Sequence, residues 1–346
     1  MSATQLDATP RMFEFTDEHD ALREVLRNYF AATVTLERGQ RWRRLVAEVG
    51  ADEILFGGAT SVELAILAEQ AGAALFDGPL LSAAALGPLP RGEGWAAVPD
   101  EVRRGDRLVS AAVALTGCGD AQPEVELVWD FGEHAFVVAA RSIDGEPAIV
   151  GYDGDTLGCA ELAGLDLSRS MGRIRSGDVP PVLVWSGAPA AGVLAAIRRR
   201  SDLVLAAELL GVAQRVLDGT VDYVSQRVQF GRTIGSFQAV KHRLADLLAQ
   251  VELTRSAVYG AAWQFGDGPV TAQAAVDLAV AAVLARQTAV EATKAAVQLH
   301  GGIGITWEHW AHRYLRRAHA VIALTGAASR HRRRLAALVE SDGADG

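Results

Sequence analysis

The chain has 346 residues, half of them hydrophobic and 22% charged, with a formal net charge of -9 at pH 7. That length exceeds one small core and suits two or three packed units, while the acidic balance leaves no basic surplus to neutralise nucleic-acid phosphates, although local arginines can still hold an anionic ligand. The only cysteines, Cys118 and Cys159, lack metal-ligand spacing; with no basic-apolar leader and no apolar run of about 18 residues, a soluble protein of a reducing cytoplasm is expected.

In chain order, residues 1–13 read as a loose tail. Thr16 followed by Asp17 and Glu18 predicts a capped helix start, continued by Ala21, Leu22, Val25, Leu26 and Phe30 at helical spacing. Further helices are predicted over 41–49, after Thr60-Ser61 until Asp77-Gly78-Pro79 breaks the pattern, and over 80–86. From residue 90 glycine, proline and aspartate become frequent, and short apolar runs at 108–115, 125–129, 135–140 and 182–185 read as strands, with Trp95 and Trp129 expected in a β core. From Pro189, which suits a first helical turn, long helices are predicted over 194–227, 237–266, 271–301 and 321–339, the third closed by Gly301-Gly302. The arginines of 330–334 read as a solvated helix face. The expected domains are 14–89 helical, 90–188 β and 189–340 a four-helix bundle, giving a mainly α chain with a central β domain.

Two segments carry chemistry. Residues 226–238 set Arg227, Phe230, Gly231, Ser236 and Gln238 between two apolar helices. Arg227 offers a forked, permanent cation to a pair of phosphates, Phe230 a face for a flat ring, and Ser236 the start of a helix whose N-terminus favours an anion. Residues 298–306 combine Gln298 and His300 with Gly301-Gly302, where a ligand can approach the backbone closely. Taken singly, each segment equally fits a plain connection: an inter-helix loop with a satisfied arginine, and a glycine-rich helix stop.

Together, 227–246 (RVQFGRTIGSFQAVKHRLAD) and 298–317 (QLHGGIGITWEHWAHRYLRR) resemble the two C-terminal signatures of the acyl-CoA dehydrogenase family in order and separation. The opening FTDEHDALR and AGAALFDGPLLSAAAL resemble shortened family versions. The resemblance implies an N-terminal helical domain, a barrel-like β middle domain and a C-terminal four-helix bundle. It implies FAD at a subunit interface and desaturation of an acyl-CoA thioester at Cα–Cβ, with an electron-transfer flavoprotein as electron acceptor. By the match, Arg227, Phe230 and Gln238 hold the pyrophosphate and adenine side of FAD, and Gln298, His300, Gly301 and Gly302 meet the dinucleotide of a neighbouring subunit.

The departures fall on the chemistry. In the family a glutamate removes the α-proton while the flavin accepts a hydride. Its usual position holds Thr325 here, and the alternative one, counted back from Tyr223, holds Ser201, with Asp202 one residue off; a hydroxyl has no useful basicity. Glu208, two turns further along the same helix, is the one substitute base, against a solvent- or interface-facing role. Residues 114–119 resemble only part of the first flavin-covering run, the second is missing, and the loop that shapes the acyl pocket is reduced to Phe56-Gly57-Gly58. The pattern predicts a non-catalytic partner in a heteromeric, α2β2 acyl-CoA dehydrogenase, similar to the actinobacterial enzymes that shorten steroid side chains. A self-sufficient homo-oligomer using Glu208 and a flavin-free interaction subunit are the alternatives.

Overall fold

The structure is a computed structural model that describes residues 14–89, 98–116, 125–265 and 270–344. The expected tail, Trp95 and Cys118 lie outside them. Helices α1 (Asp17–Ala32), α2 (Arg38–Val49), α3 (Ala51–Phe56), α4 (Ser61–Ala73), α5 (Leu80–Leu86) and α6 (Asp100–Arg103) come first. Thr16 caps α1 and Thr60 caps α4, each in a reciprocal box with the third helical residue, His19 and Glu63. Helix α3 escaped the sequence reading because six residues show too little of a helical period to stand out.

Seven strands follow: β1 (Val109–Ala112), β2 (Glu126–Trp129), β3 (Phe136–Ile143), β4 (Glu146–Asp153), β5 (Gly158–Leu162), β6 (Met171–Arg175) and β7 (Leu183–Ser186). They form one sheet in the order β5-β6-β2-β1-β3-β4-β7, antiparallel except for β1 and β3. Trp129 is fully buried, and its indole N–H donates to Thr116 Oγ1 at 3.2 Å. Strands β4, β5 and β6 were not expected; their glycines, proline and mixed polarity hide the alternation that marked β2 and β3.

The C-terminal part, from Ala188, is helical: α7 (Ala188–Gln226), α8 (Gln238–Gln264), α9 (Ala272–His300), α10 (Ala311–Thr325) and α11 (Ala328–Ala344). The helix expected over 321–339 is two helices, because Gly326 takes φ +95° and ends α10. Among the described residues no helix is long and apolar enough to cross a membrane.

Helices α4 and α7 meet through a reciprocal contact. A Cβ on Gly72 would lie 2.1 Å from Glu208 O, and a Cβ on Gly211 would lie 1.9 Å from Glu69 O. Each helix thus offers a glutamate and, one turn on, a glycine that lets the other backbone in. Both glutamates are buried at this crossing. Glu69 takes Arg255 at 2.5 Å and the Tyr259 hydroxyl, tying α4 to α8.

Glu208 is held between Arg169 Nη2 at 2.6 Å and Arg317 Nη1 at 3.1 Å. Arg169, from the β5–β6 connection, also pairs with Asp130 after β2 at 3.4 Å. Arg317, on α10, pairs with Asp166 and donates to Phe76 O at 3.2 Å and Ser168 O at 2.8 Å. The N-terminal helices, the sheet and the bundle are therefore joined by one buried charged cluster. Burial pushes the Glu208 carboxyl up, and Arg169 and Arg317 more than reverse it, leaving it below the usual carboxylate range. Asp166 is likewise raised by burial and carried below its ordinary value by Arg317, Ser168 and Arg169.

Two outcomes are expected. Gly211→Ala forces α4 and α7 apart and lowers stability by about 3 kcal/mol, measured by urea unfolding. Because Glu208 and Asp166 titrate lower in the folded chain than in the unfolded one, the stability they contribute is complete above about pH 5 and is lost as pH falls below about 4. A plot of urea midpoint against pH should fall less steeply in that acid limb for Glu208→Gln, which also loses stability at neutral pH because its arginines are left buried.

Candidate functional site

Helix α7 ends at Gln226, and a two-residue hairpin turn follows, with β8 (Val228–Gln229) paired to β9 (Arg232–Thr233). Phe230 and Gly231 at its tip take φ +54° and +74°, the left-handed pair that a tight hairpin turn requires. Ser236 does not cap α8: its hydroxyl donates to Thr233 O at 2.6 Å, and Phe237, the residue before α8, provides no side-chain cap. The N-terminal turn of α8, beginning at Gln238, therefore has no side chain of its own across its amides.

The second segment reaches the same end of the bundle because α9 runs antiparallel to α8 and stops at His300. The Tyr223 ring stacks on His300 with centroids 4.2 Å apart, and its hydroxyl donates to His300 O at 3.4 Å. His300 Nδ1 donates to Ala296 O at 2.7 Å, and Trp310 meets the ring edge-on at 5.2 Å. The ring is only 4% exposed. His300 therefore joins α7 to α9 from inside rather than standing on the surface with its neighbours, as the sequence reading expected. Burial pushes its imidazole pKa down, so it is neutral at pH 7.

Around this junction Arg227, Phe230, Gln238, Gln298, Gly301 and Gly302 are all exposed. Phe230 is 92% exposed, and Ile305 and Trp307 add 74% and 64%. Phe230 meets Phe237 edge-on at 6.2 Å, and Trp307 stacks on His312 at 5.5 Å beneath Arg316, yet most of each ring stays open; an exposed apolar face of this kind marks an interaction or ligand surface. The glycines agree: Cβ atoms on Gly301, Gly302 and Gly231 would meet nothing within 4 Å, so no intrachain packing demands glycine at Gly302. The Arg227 guanidinium has no ion-pair partner among the described residues. An uncommitted arginine, an exposed aromatic ring, an amide and a bare glycine pair are the donor set that a flavin dinucleotide needs, and the residues present fit FAD. No group of three metal-ligating side chains occurs among the described residues.

The positions expected to hold a catalytic carboxylate are differently occupied. Thr325 is buried; its hydroxyl donates to Val321 O at 2.7 Å and accepts from Arg286 Nη2 at 2.9 Å. Ser201 is fully buried, with no hydrogen-bond partner for its hydroxyl among the described residues. Asp202 pairs with Arg334 at 2.8 Å. Glu208 is 2% exposed, so it faces neither solvent nor an interface, and two arginines occupy both of its oxygens. None of these groups is a free base. Sequence reading missed Asp130, Asp166, Arg169 and Arg317, which close this region. The available signal was a repeated Glu-x-x-Gly, at Glu69-Gly72 and Glu208-Gly211, marking two helices that cross backbone to backbone with buried acids.

Between the sheet and α10, an apolar cavity of about 230 Å³ is lined by Leu127, Trp129, Met171, Val321 and Leu324. A polar cavity of about 470 Å³ lies against it, sharing Asp166 and Arg169 and adding Arg38 and Asp77. The shortened Phe56-Gly57-Gly58 loop lines a third, of about 500 Å³, together with Arg200.

Comparison with known proteins agrees with this anatomy. Residues 200–339 match the model of the acyl-CoA dehydrogenase C-terminal domain. The chain is 32% identical over 335 residues to the acyl-CoA dehydrogenase IpdE2 of Mycobacterium tuberculosis, covering 88% of this chain and 91% of that one. Among solved structures, the ChsE4–ChsE5 complex from Mycobacterium tuberculosis matches with a TM-score of 0.79 at 23% identity, over 95% of this chain and 98% of the other. A variant of the Tcur3481–Tcur3483 steroid ACAD matches with a TM-score of 0.77 at 24% identity, over 95% and 99%. The likeness to both structures extends the common fold to the N-terminal helices and the sheet, which the family model leaves out. The chain belongs to the acyl-CoA dehydrogenase family.

Proposed function

We propose that this chain is the non-catalytic subunit of a heteromeric, FAD-dependent acyl-CoA dehydrogenase. One observation carries the reading: the dinucleotide-binding end of the bundle is exposed and uncommitted, whereas each candidate base is replaced or locked. Thr325 and Ser201 are buried hydroxyls, and Glu208 is bound by Arg169 and Arg317. A carboxylate stabilised as an anion by two guanidinium groups has little tendency to take a proton near neutral pH.

FAD, when bound, supplies the hydride acceptor for α,β-desaturation of an acyl-CoA thioester. This chain's residues do the holding. Arg227 meets the pyrophosphate, Phe230 and Gln238 meet the adenine side, and Gln298 with the backbone at Gly301 and Gly302 lies toward the neighbouring subunit. The exposed Phe230, Ile305 and Trp307 are then covered by that subunit, which brings the glutamate and the flavin-ring pocket. The hetero-pairing of ChsE4 with ChsE5 supports an α2β2 arrangement, and the steroid ACAD among the structural matches supports a CoA thioester of a steroid side chain as substrate class. An electron-transfer flavoprotein would reoxidise the flavin.

Co-expression with a longer family member that keeps the glutamate should give a yellow complex with half as many flavins as chains, and turnover that the chain alone lacks. A homotetramer of this chain alone, with one FAD per subunit and acyl-CoA oxidation, would refute the reading. In the complex, Arg227→Ala should weaken FAD retention by about 10- to 100-fold, the range for losing a hydrogen bond to a charged group, with the fold intact by circular dichroism.

A further inference from the structure

A fourth cavity, of about 260 Å³, opens where α7, α10 and α11 meet Thr116, which follows β1. We propose that it is an anion site that takes a phosphate group, either free phosphate or the phosphate of a nucleotide. Thr116 of the flavin-covering run and Thr325 at the usual base position both line it, so the proposal rests on the reading that this chain does not hold the flavin ring itself.

The charges on its wall do not cancel. Arg198 on α7 and Arg330 and Arg334 on α11 line it, against the single carboxylate of Asp202. Arg334 and Asp202 neutralise each other at 2.8 Å. Arg198 and Arg330 have no carboxylate partner among the described residues, so two permanent positive charges face the cavity. This occurs in a chain whose net charge is -9, so it is not a by-product of a basic composition.

The remaining wall suits an oxyanion. Arg330, His331 and Arg334 occupy the first two turns of α11, whose N-terminal end adds positive potential to the same space. His331 is buried, and its Nε2 donates to Thr325 O at 3.2 Å. That bond fixes the imidazole at the cavity wall. Two unmatched guanidinium groups balance a dianion, and a phosphate monoester carries about -1.5 to -2 near neutral pH, against -1 for a carboxylate. The volume falls below the roughly 300–1,000 Å³ of sites that enclose drug-sized ligands, so a phosphoryl group fits inside and any larger body would lie outside. Thr325 on this wall stands where the sequence comparison expects a glutamate. A carboxylate there would cancel the field, and its replacement by a neutral hydroxyl is what leaves the cavity cationic.

The test is isothermal titration of the full chain in phosphate-free buffer with inorganic phosphate, adenosine 5′-monophosphate and acetate in turn. Saturable one-to-one binding of phosphate or of the nucleotide is expected, and acetate should bind at least about 10-fold more weakly. Tighter binding of phosphate than of the nucleotide identifies free phosphate as the ligand, and the reverse order identifies a nucleotide phosphate. Arg198→Ala with Arg330→Ala should weaken binding by about 10- to 100-fold. The charge-matched control, Arg332→Ala with Arg333→Ala on exposed positions outside the cavity, should leave binding unchanged. Both pairs alter exposed side chains, so circular dichroism and thermal melting should match the unmodified chain. Absence of phosphate and nucleotide binding, equal losses in the two pairs, or acetate binding as tightly as phosphate would overturn the proposal.

Discussion

Glu208 has two roles at one position. Its backbone carbonyl sits against Gly72 where α4 and α7 cross, and its side chain accepts from Arg169 and Arg317. A buried carboxylate costs several kcal/mol in lost hydration, which only close, well-oriented cations offset. Those cations can reach it only if the sheet, the β5–β6 connection and α10 are docked as observed. The cluster holds three acids, Asp130, Asp166 and Glu208, against Arg169 and Arg317. The third acid is satisfied locally, because Ser82 donates to Asp130 Oδ2 through its amide at 3.0 Å and its hydroxyl at 2.8 Å. Nearby, Arg38 donates to Asp130 O at 2.7 Å. Such a cluster contributes less net stability than an apolar core of the same volume, but it penalises any misdocked arrangement heavily, because each wrong placement buries an unpaired charge. Uniqueness of docking is the better account of its presence.

That constraint also sets the chemistry. The volume between sheet and bundle that the pairs occupy is lost to a ligand, and what remains divides into an apolar cavity and a polar one on either side of Asp166 and Arg169. Glu208, the substitute base suggested by the sequence, is held as an anion by Arg169 and Arg317. At the other end of the bundle, the hairpin after α7 and the glycines after α9 are held by the Tyr223–His300 stack while their outer faces stay open. Rigidity behind and availability in front is what the shared cofactor site proposed above would require.

The basic cavity beside Thr325 belongs to the same logic. Once no catalytic carboxylate is held there, nothing selects against arginines on the neighbouring turns of α7 and α11. Arg286, whose guanidinium donates to Thr325 Oγ1, Gly326 O and Ala282 O, already fills the space beneath. The break at Gly326 swings α11 so that Arg330 and Arg334 face back toward α7 rather than continuing the line of α10.

Much of this was legible in the chain itself. Capping threonines, helical spacing, the glycine stop after α9 and the paired C-terminal signatures are local patterns, each complete within a few turns, so the helical layers, the family and the break between α7 and α8 followed from the sequence, whereas the β8–β9 pairing within that break did not. Strands β4–β6 were not legible, because their pairing rather than their own alternation defines them. The place of His300 inside the junction, the locking of Glu208 and the unmatched charge of Arg198 and Arg330 were not legible either. Arg317 and Glu208 are 109 positions apart, and Arg169 and Glu208 39 apart. Whether a charged side chain is a base, a strut or a ligand depends on which distant partner lies within about 3 Å of it, and only the docking of the helices and the sheet decides that.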